Sequence, residues 1–224
     1  MSKIHVIFPM TLVSGFDDHT LYSETLIEAI HVETCKLGGV WLTEHHFTNF
    51  GISSQPVVMA SAIAALTCKI SIGLAVVILP LHNTVQIVES VSTLDNLSNG
   101  RAYLGVGSGY DQTDFQLFRK DYGNRFSQLM EEVEILNSDW TEFSPACKLP
   151  NTLSPKPVQI PHPPFFIACK APEHASEIGR KGYNLLLGAY KDEYFRNLIS
   201  IYKQSCSDLH NANPVIFGMR YIYP

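Results

Sequence analysis

The sequence has 224 residues, of which 46% are hydrophobic and 17% are charged, and its net charge is −5. This length and composition suit a single globular domain, residues 1–224, with a sizeable hydrophobic core. The negative charge, without any run of Lys or Arg, argues against a nucleic-acid partner.

The cysteines indicate the compartment. There are five, they are widely spaced, and none belongs to a C-x-x-C pair. This pattern argues against a disulfide framework and against a zinc site, so we expect no metal and a reducing, cytoplasmic location. The apolar stretch at residues 4–10 is too short for a signal segment or a membrane span. We therefore expect a soluble protein without a membrane partner.

Short apolar runs rich in β-branched residues alternate with amphipathic stretches along the whole chain. This alternation is typical of parallel βα units and predicts an α/β fold. The predicted strands are residues 3–8, 39–44, 70–77, 102–106, 164–168, 183–187 and 215–221. The predicted helices are residues 20–36, 56–67, 84–97, 125–140, 172–181 and 192–206. A proline-rich stretch at residues 143–163 predicts a surface excursion without regular structure.

Two architectures have this alternation, a doubly wound open sheet and a closed (β/α) barrel. A dinucleotide-binding open sheet needs G-x-G-x-x-G directly after its first strand. The nearest string, Gly105-Val106-Gly107-Ser108-Gly109, follows the fourth strand with different spacing and leads into a predicted loop at residues 110–124. This does not match the dinucleotide fingerprint.

Three predicted strand ends carry unusual residues: Glu44-His45-His46-Phe47, the run from Ala75 to Pro80, and the glycines up to Gly109. In a parallel barrel these carboxyl ends meet at one mouth, where a histidine can act as an acid or a base. The alternative is purely structural, because adjacent residues of a strand point to opposite faces. Periodicity alone favours that alternative.

The residues resemble a known family at three places. The segment from Trp41 to Gly51 is similar to the E-H-H-F region of bacterial luciferase alpha subunits and of their flavin-dependent monooxygenase relatives. Residues 72–109 are similar to the strand–helix–strand region of that family, and residues 155–164 to the segment before its fifth strand. The order and spacing of all three agree, so the resemblance covers the chain from about residue 3 to its end.

The resemblance implies a (β/α) TIM-type barrel that binds reduced FMN at its mouth and uses O2 to oxidise a small organic substrate. The protein then orients the reactants and excludes water, while the flavin supplies the redox chemistry. It also implies a homodimer, and a flavin reductase is a further expected partner.

Individual residues take their expected roles from the resemblance. His45 matches the catalytic histidine, and the Ala75–Val76 bond matches a non-proline cis peptide against the flavin ring. Gly107, Ser108 and Gly109 match the loop beside the flavin. Glu44 and His46 are expected to support the site rather than to react.

The expected phosphate-binding segment departs from the family pattern. A helix N-terminus is a natural site for a phosphate, and here it carries Lys170, Ala171 and His174. Ala171 stands where the family has a serine, and Glu173 adds an opposing charge. This departure keeps a non-catalytic flavin-binding or structural homologue open as an alternative to an FMN monooxygenase. Hydride transfer with the deazaflavin coenzyme F420, which related barrels use, stays open as a second alternative.

Two expectations concern assembly. The predicted helix at residues 84–97 is expected to expose Val85, Val88 and Val91 for a homodimer. The chain stops after its seventh predicted strand, where a TIM-type barrel has an eighth βα unit. We therefore expect residues 215–221 to pair across a subunit contact or to be poorly ordered, with a weakened flavin site.

Overall fold

A computed structural model describes residues 4–141, 154–206 and 215–220. Seven strands lie in these ranges: β1 His5–Phe8, β2 Gly39–Leu42, β3 Ser71–Ile78, β4 Ala102–Gly107, β5 Phe165–Cys169, β6 Asn184–Leu187 and β7 Ile216–Gly218. The helices are α1 Asp18–Thr34, α2 Pro56–Leu66, α3 Thr84–Ser98, α4 Gln112–Leu117, α5 Arg125–Thr141, α6 Pro172–Arg180 and α7 Asp192–Ser205. The predicted alternation of strands and helices is confirmed.

The chain forms two compact units. The first contains Met1–Leu104 and Ser108–Pro164, and the second contains Gly105–Gly107 and Phe165–Pro224. The expectation of a single domain stays a prediction.

The strands of the first unit are parallel and neighbours in sequence order. β1 pairs with β2, with His5 opposite Gly39, and β2 pairs with β3, with Gly39 opposite Ser71. The backbone N–H of Ile72 donates to Arg101 O, immediately before β4, at 2.9 Å. All four residues of β2 are buried, as expected for a strand covered on both faces. The carboxyl ends of β2 and β3, which carry part of the candidate site, therefore share one edge of this sheet.

The second unit has the same arrangement. β5 pairs with β6 in parallel, and β6 pairs with β7 through Leu185 opposite Ile216. The predicted strand at residues 215–221 is confirmed over Ile216–Gly218, while Tyr221 lies outside the described residues. The prediction that residues 215–221 either pair across a subunit contact or are poorly ordered, with a weakened flavin site, stays a prediction.

Helix α4 corrects the sequence-based expectation of a loop at residues 110–124. Asp111 begins this helix by accepting a hydrogen bond from the backbone N–H of Thr113 at 2.8 Å. Phe115 is buried on its inner side. The helix is only six residues long, too short for a periodic pattern to reveal it.

The exposure predicted for α3 is wrong at two positions. Val88 and Val91 are fully buried, whereas 48% of Val85 is exposed. Val88 and Val91 are three residues apart and lie on the face that also buries Leu94, as expected for the inner stripe of an amphipathic helix.

Asp95, also on α3, is a fully buried acidic residue. Its Oδ2 accepts the backbone N–H groups of Val158 and Gln159, both at 2.8 Å, and its Oδ1 accepts the Gln159 side-chain amide at 2.7 Å. Hydrogen bonds to a carboxylate are stronger than neutral ones. Asp95 therefore holds the segment before β5 against α3, although the two are more than 60 residues apart in the sequence.

Arg101 and Glu33 fix the opposite ends of the strands. The Arg101 guanidinium donates to the carbonyl oxygens of Ala64, Thr67 and Ile70 at 2.8–3.1 Å. Glu33 Oε1 accepts the backbone N–H groups of the connection from α2 to β3. Arg101 thus satisfies carbonyl groups at the end of α2, and Glu33 satisfies N–H groups of the connection that follows it.

Trp41 packs directly on the backbone of Gly73 in the neighbouring strand, because a Cβ at Gly73 would overlap the Trp41 indole. We predict that Gly73→Ala lowers the free energy of unfolding by about 1–3 kcal/mol, the usual cost of overpacking a core. Urea denaturation measures this change. Gly123→Ala is the control, since its Cβ would meet only Asp121 Oδ1, at 3.4 Å. Equal stability of the two variants would contradict the prediction.

The described cysteines, Cys35, Cys68, Cys169 and Cys206, are free thiols, and Cys147 lies outside the described residues. Among the helices that the structure describes, none has the length and apolar character needed to cross a membrane.

Candidate active site

His45 follows β2 and is half-buried. Its backbone N–H donates to Ser53 O at 3.0 Å. The ring meets Phe50 and Tyr110 edge-on, with centroids 5.4 and 6.5 Å away. Gly51 leaves the space for this ring, because a Cβ there would lie 2.5 Å from His45 Cδ2.

The surroundings of His45 favour its neutral form. Burial lowers the pKa of His45 below its usual value, the Glu44 carboxylate opposes this shift, and His46 adds to it. A neutral imidazole near physiological pH can accept a proton.

Glu44 precedes His45 in the chain and has a fully buried side chain. Its Oε1 accepts hydrogen bonds from His46 Nε2 and from His82 Nε2, both at 2.8 Å. Its Oε2 accepts the backbone N–H of Ile78 at 3.0 Å. Burial by itself favours the neutral acid, but these hydrogen bonds hold the pKa of Glu44 below its usual value. Glu44 is therefore an ionised group inside the protein.

The His46 ring lies on the α4 side of this network. It packs edge-on against Phe118, with centroids 4.7 Å apart. Burial and then the charge of Asp111 raise the pKa of Asp114, while His46 lowers it. Asp114 is thus an acidic group close enough to His46 to interact with it.

Sequence reasoning missed His82 and Asp114. His82 follows the short 3-10 turn Leu79–Leu81, directly after β3, and Asp114 lies on the unpredicted helix α4. A polar residue just beyond a strand end was the available signal for His82. Its partnership with Glu44 joins residues 38 positions apart, which no local pattern reveals.

Exposed aromatic residues surround the two histidines. The exposed fractions are 70% for Phe47, 59% for Phe50 and 60% for Tyr110. Scattered apolar residues are normal on a surface, but Phe50 and Tyr110 both pack against the His45 ring and so create an apolar patch beside it, of the kind that binds ligands.

The other expected flavin contacts in the first unit are Ala75, Val76, Ser108 and Gly109. The Ala75–Val76 peptide bond in β3 is cis. Gly109 has a φ of +73°, and a Cβ there would lie 2.8 Å from both Ile78 Cγ2 and Phe115 Cε2. Only glycine fits position 109, because of both the positive φ of the backbone and the close neighbouring side chains.

The remaining expected contacts belong to the second unit. Gly107 ends β4, while Lys170 and Ala171 precede α6 and His174 lies in its first turn. The N-cap residue of α6, Ala171, makes no side-chain cap hydrogen bond, and the backbone N–H groups at a helix start are a general site for an anion. This start fits a phosphate, although Glu173 in the same turn weakens it. The position of these residues relative to His45 stays a prediction.

Glu132 on α5 is an acidic group whose buried Oε2 has no hydrogen-bond partner among the described residues, and the same is true of Gln128 Oε1 one turn earlier. Burial raises the pKa of Glu132 to about 7, opposed by Lys120 and His82. The folded protein keeps this proton at a pH where the unfolded chain has released it. The contribution to stability is therefore present below pH 4.5 and is lost as the pH rises to about 7.

We predict that Glu132→Gln removes most of this loss, since glutamine stays neutral at every pH. Urea midpoints of the variant should fall less between pH 4.5 and 8 than those of the wild type. Glu131→Gln, its exposed neighbour, is the control and should keep the wild-type slope. Parallel curves for Glu132→Gln and the wild type would show that Glu132 does not titrate as expected.

Comparisons with known proteins place this geometry in a family. The family model described as luciferase-like monooxygenase matches residues 7–211. The chain belongs to the luciferase-like monooxygenase family. Its segment from β1 to α7 therefore carries the family pattern, and the resemblance read from the three sequence motifs is confirmed.

Two curated relatives match parts of the chain. The protein y4vJ of Sinorhizobium fredii is 32% identical over 171 residues, which cover 74% of this chain and 49% of the relative. The alkanal monooxygenase alpha chain of Photorhabdus luminescens is 34% identical over 110 residues, 49% of this chain and 30% of the relative. The chain thus spans half or less of the length of these relatives.

Two solved structures share the fold. The monooxygenase RslO1 of Streptomyces bottropensis superposes with a TM-score of 0.85 at 24% identity, covering 92% of this chain and 66% of that one. The oxygenating constituent of 3,6-diketocamphane monooxygenase of Pseudomonas putida, in complex with FMN, gives a TM-score of 0.81 at 12% identity, covering 94% and 64%. The predicted class, a (β/α) TIM-type barrel, is confirmed.

Proposed function

We propose that this chain is a flavin-dependent monooxygenase that uses reduced FMN and O2 to oxidise a small organic substrate. The observation that carries the proposal is His45, a half-buried histidine with a lowered pKa, placed at a strand end among aromatic rings and beside an ionised Glu44. A neutral imidazole in an apolar surrounding can accept or return a proton while water is limited.

The reduced flavin, when bound, supplies two electrons, so that one atom of O2 enters the substrate and the other leaves as water. The residues proposed to hold it are Ala75, Val76, Ser108 and Gly109 from the first unit, and Gly107, Lys170, Ala171 and His174 from the second. The backbone around Gly109 and the uncapped start of α6 support this choice. His45 is the proposed proton acceptor and donor.

Titration of the purified protein with FMN tests the proposal. Reduced FMN, added without oxygen, should bind saturably, and mixing with O2 should then consume oxygen faster when a substrate is present. F420 is titrated in parallel. Binding of F420 without FMN would favour the hydride-transfer alternative, and binding of neither would favour a non-catalytic homologue.

A homodimer is proposed from the apolar residues that α2 and α3 expose. The exposed fractions are 68% for Val58 and 49% for Leu66 on α2, and 48% for Val85 on α3. We expect sedimentation to show a species of twice 25.0 kDa, which Val58→Asp combined with Val85→Asp should convert to monomer. A wild type that sediments only as a 25.0 kDa species would contradict the dimer.

The proposal also includes a partner protein and a cellular location. Reduced FMN reacts with oxygen in solution, so a flavin reductase is the proposed source of the co-substrate. The reducing cytoplasm, where both enzymes would meet, is the proposed location and suits the free thiols described above.

A further inference from the structure

Two tyrosines near the start of α7 donate hydrogen bonds to the backbone at the end of β5. The Tyr190 hydroxyl donates to Cys169 O at 3.2 Å. The Tyr194 hydroxyl donates to Lys170 O at 2.5 Å. Cys169 is the last residue of β5, so two successive carbonyl groups just before α6 are each held by a tyrosine side chain.

The two tyrosine rings also hold each other. They meet edge-on with centroids 5.7 Å apart, a favourable arrangement for an aromatic pair. Burial, and then the nearby Cys169 and Tyr194, raise the pKa of Tyr190 to about 12. The Tyr190 hydroxyl therefore keeps the hydrogen that it donates.

Arg220, just beyond β7, fastens the same region from another side. Its guanidinium lies 3.5 Å from the centre of the Phe195 ring and 3.2 Å from the carboxylate of Asp192. Asp192 and Phe195 belong to the first turn of α7, as Tyr194 does. The hydroxyl donors thus come from a segment that is itself anchored by side-chain contacts.

The start of α6 has little capping of its own. Ala171 offers no side-chain acceptor, and Pro172, the first residue of the helix, has no N–H group. An anion at this helix start depends on the remaining backbone N–H groups, whose directions are set by the backbone just before them. A carbonyl oxygen that turned toward the anion would repel it, and the two carbonyl groups nearest to Ala171 on the strand side are engaged by the tyrosines.

We propose that Tyr190 and Tyr194 are positioning residues for the phosphate group of the flavin, an inference that rests on the proposed function. They act through the backbone that precedes α6, so that its N–H groups keep the direction needed to bind an anion. A binding site that is ordered in advance loses less conformational entropy when the ligand binds, which raises its affinity. The pair thereby compensates for Ala171, which stands where the family has a serine.

The first test compares FMN with riboflavin, which is the same molecule without the phosphate. Anaerobic calorimetric titration with the reduced forms should show that the wild type binds FMN more tightly. In Tyr190→Phe combined with Tyr194→Phe, we expect FMN affinity to fall by about tenfold, as for two lost hydrogen bonds, with riboflavin affinity unchanged. Equal losses for both flavins, or no loss, would overturn the proposal, and so would a wild type that binds both flavins equally.

Tyr202→Phe is the matched control. The Tyr202 hydroxyl also donates to a backbone carbonyl, Tyr183 O, at 2.8 Å, but this carbonyl precedes β6 and lies at the opposite end of the strands. The ratio of FMN to riboflavin affinity should stay at the wild-type value in this variant. A control that lowers the ratio as much as the double variant would make the effect structural and overturn the proposal. If the double variant does not fold, Tyr194→Phe alone decides, because Tyr194 is 39% exposed.

The second test uses inorganic phosphate and flavin-free protein, so it does not depend on the oxygenase activity. Titration followed by 1H–15N spectra should show saturable shifts of the backbone amides at the start of α6, with weaker binding in the double variant. A wild type without such shifts would overturn the proposal. If phosphate and FMN bind as expected but the protein consumes no oxygen with any substrate, the proposed function fails while the role of the two tyrosines stands.

Discussion

Replacement of Asp95 by alanine is expected to lower the free energy of unfolding by about 3–5 kcal/mol, because several buried hydrogen-bond donors lose their acceptor. Its carboxylate accepts two backbone N–H groups and the Gln159 side-chain amide at 2.7–2.8 Å. Alanine leaves these donors buried without an acceptor, and each such loss costs about 1–3 kcal/mol. This is a large part of the stability of an ordinary domain.

Urea denaturation at pH 7, monitored by circular dichroism, measures the effect. Glu89→Gln is the matched control, because Glu89 is an exposed acidic residue on the same helix, and its midpoint should stay near that of the wild type. If Asp95→Ala and the control unfold at the same urea concentration, the buried hydrogen bonds contribute far less than their geometry indicates.

Replacement of His45 by alanine is expected to lower the turnover of the proposed oxygenase by about a hundredfold, the usual scale for a lost acid or base. Flavin affinity should change little, since the proposed flavin contacts come from β3, the end of β4 and the start of α6. The contacts of the imidazole agree with this expectation, because it packs against Phe50 and Tyr110 and occupies the space that the absence of a side chain at Gly51 leaves.

Steady-state kinetics and an FMN titration of the same preparation measure both effects. His31→Ala, at an exposed histidine on α1, is the control for the loss of an imidazole. Loss of FMN binding with little change in turnover would make His45 a structural residue. Unchanged turnover would remove it from the mechanism.

The strands and longer helices could be predicted from the sequence because their buried apolar residues recur at the short, regular spacing of a strand or a helix. β2 is buried on both faces, and its residues form one continuous apolar run. Gly109 was also predictable, since glycines after a strand indicate tight turns and close backbone approach. The position of His45 after β2 followed from the same strand pattern.

Contacts that join distant parts of the chain could not be predicted in this way. The hydrogen bond between Glu44 and His82 and the helix α4 beside His46 depend on how β2, β3 and the segments after them meet in space. The error at Val88 and Val91 has a related cause. Valine is equally suited to an interface and to the inner stripe of a helix, and the sequence does not tell which neighbour covers it.

The packing of Trp41 on Gly73 also has a consequence for spectroscopy. The sequence contains two tryptophans, Trp41 and Trp140, and both belong to the first unit. Intrinsic tryptophan fluorescence therefore reports the unfolding of that unit, whereas the second unit contributes tyrosines such as Tyr202. Denaturation followed by tryptophan emission and by far-ultraviolet dichroism compares one unit with the whole chain. Coincident curves would show that the two units unfold together as one cooperative structure, and separated curves would show that each has its own midpoint.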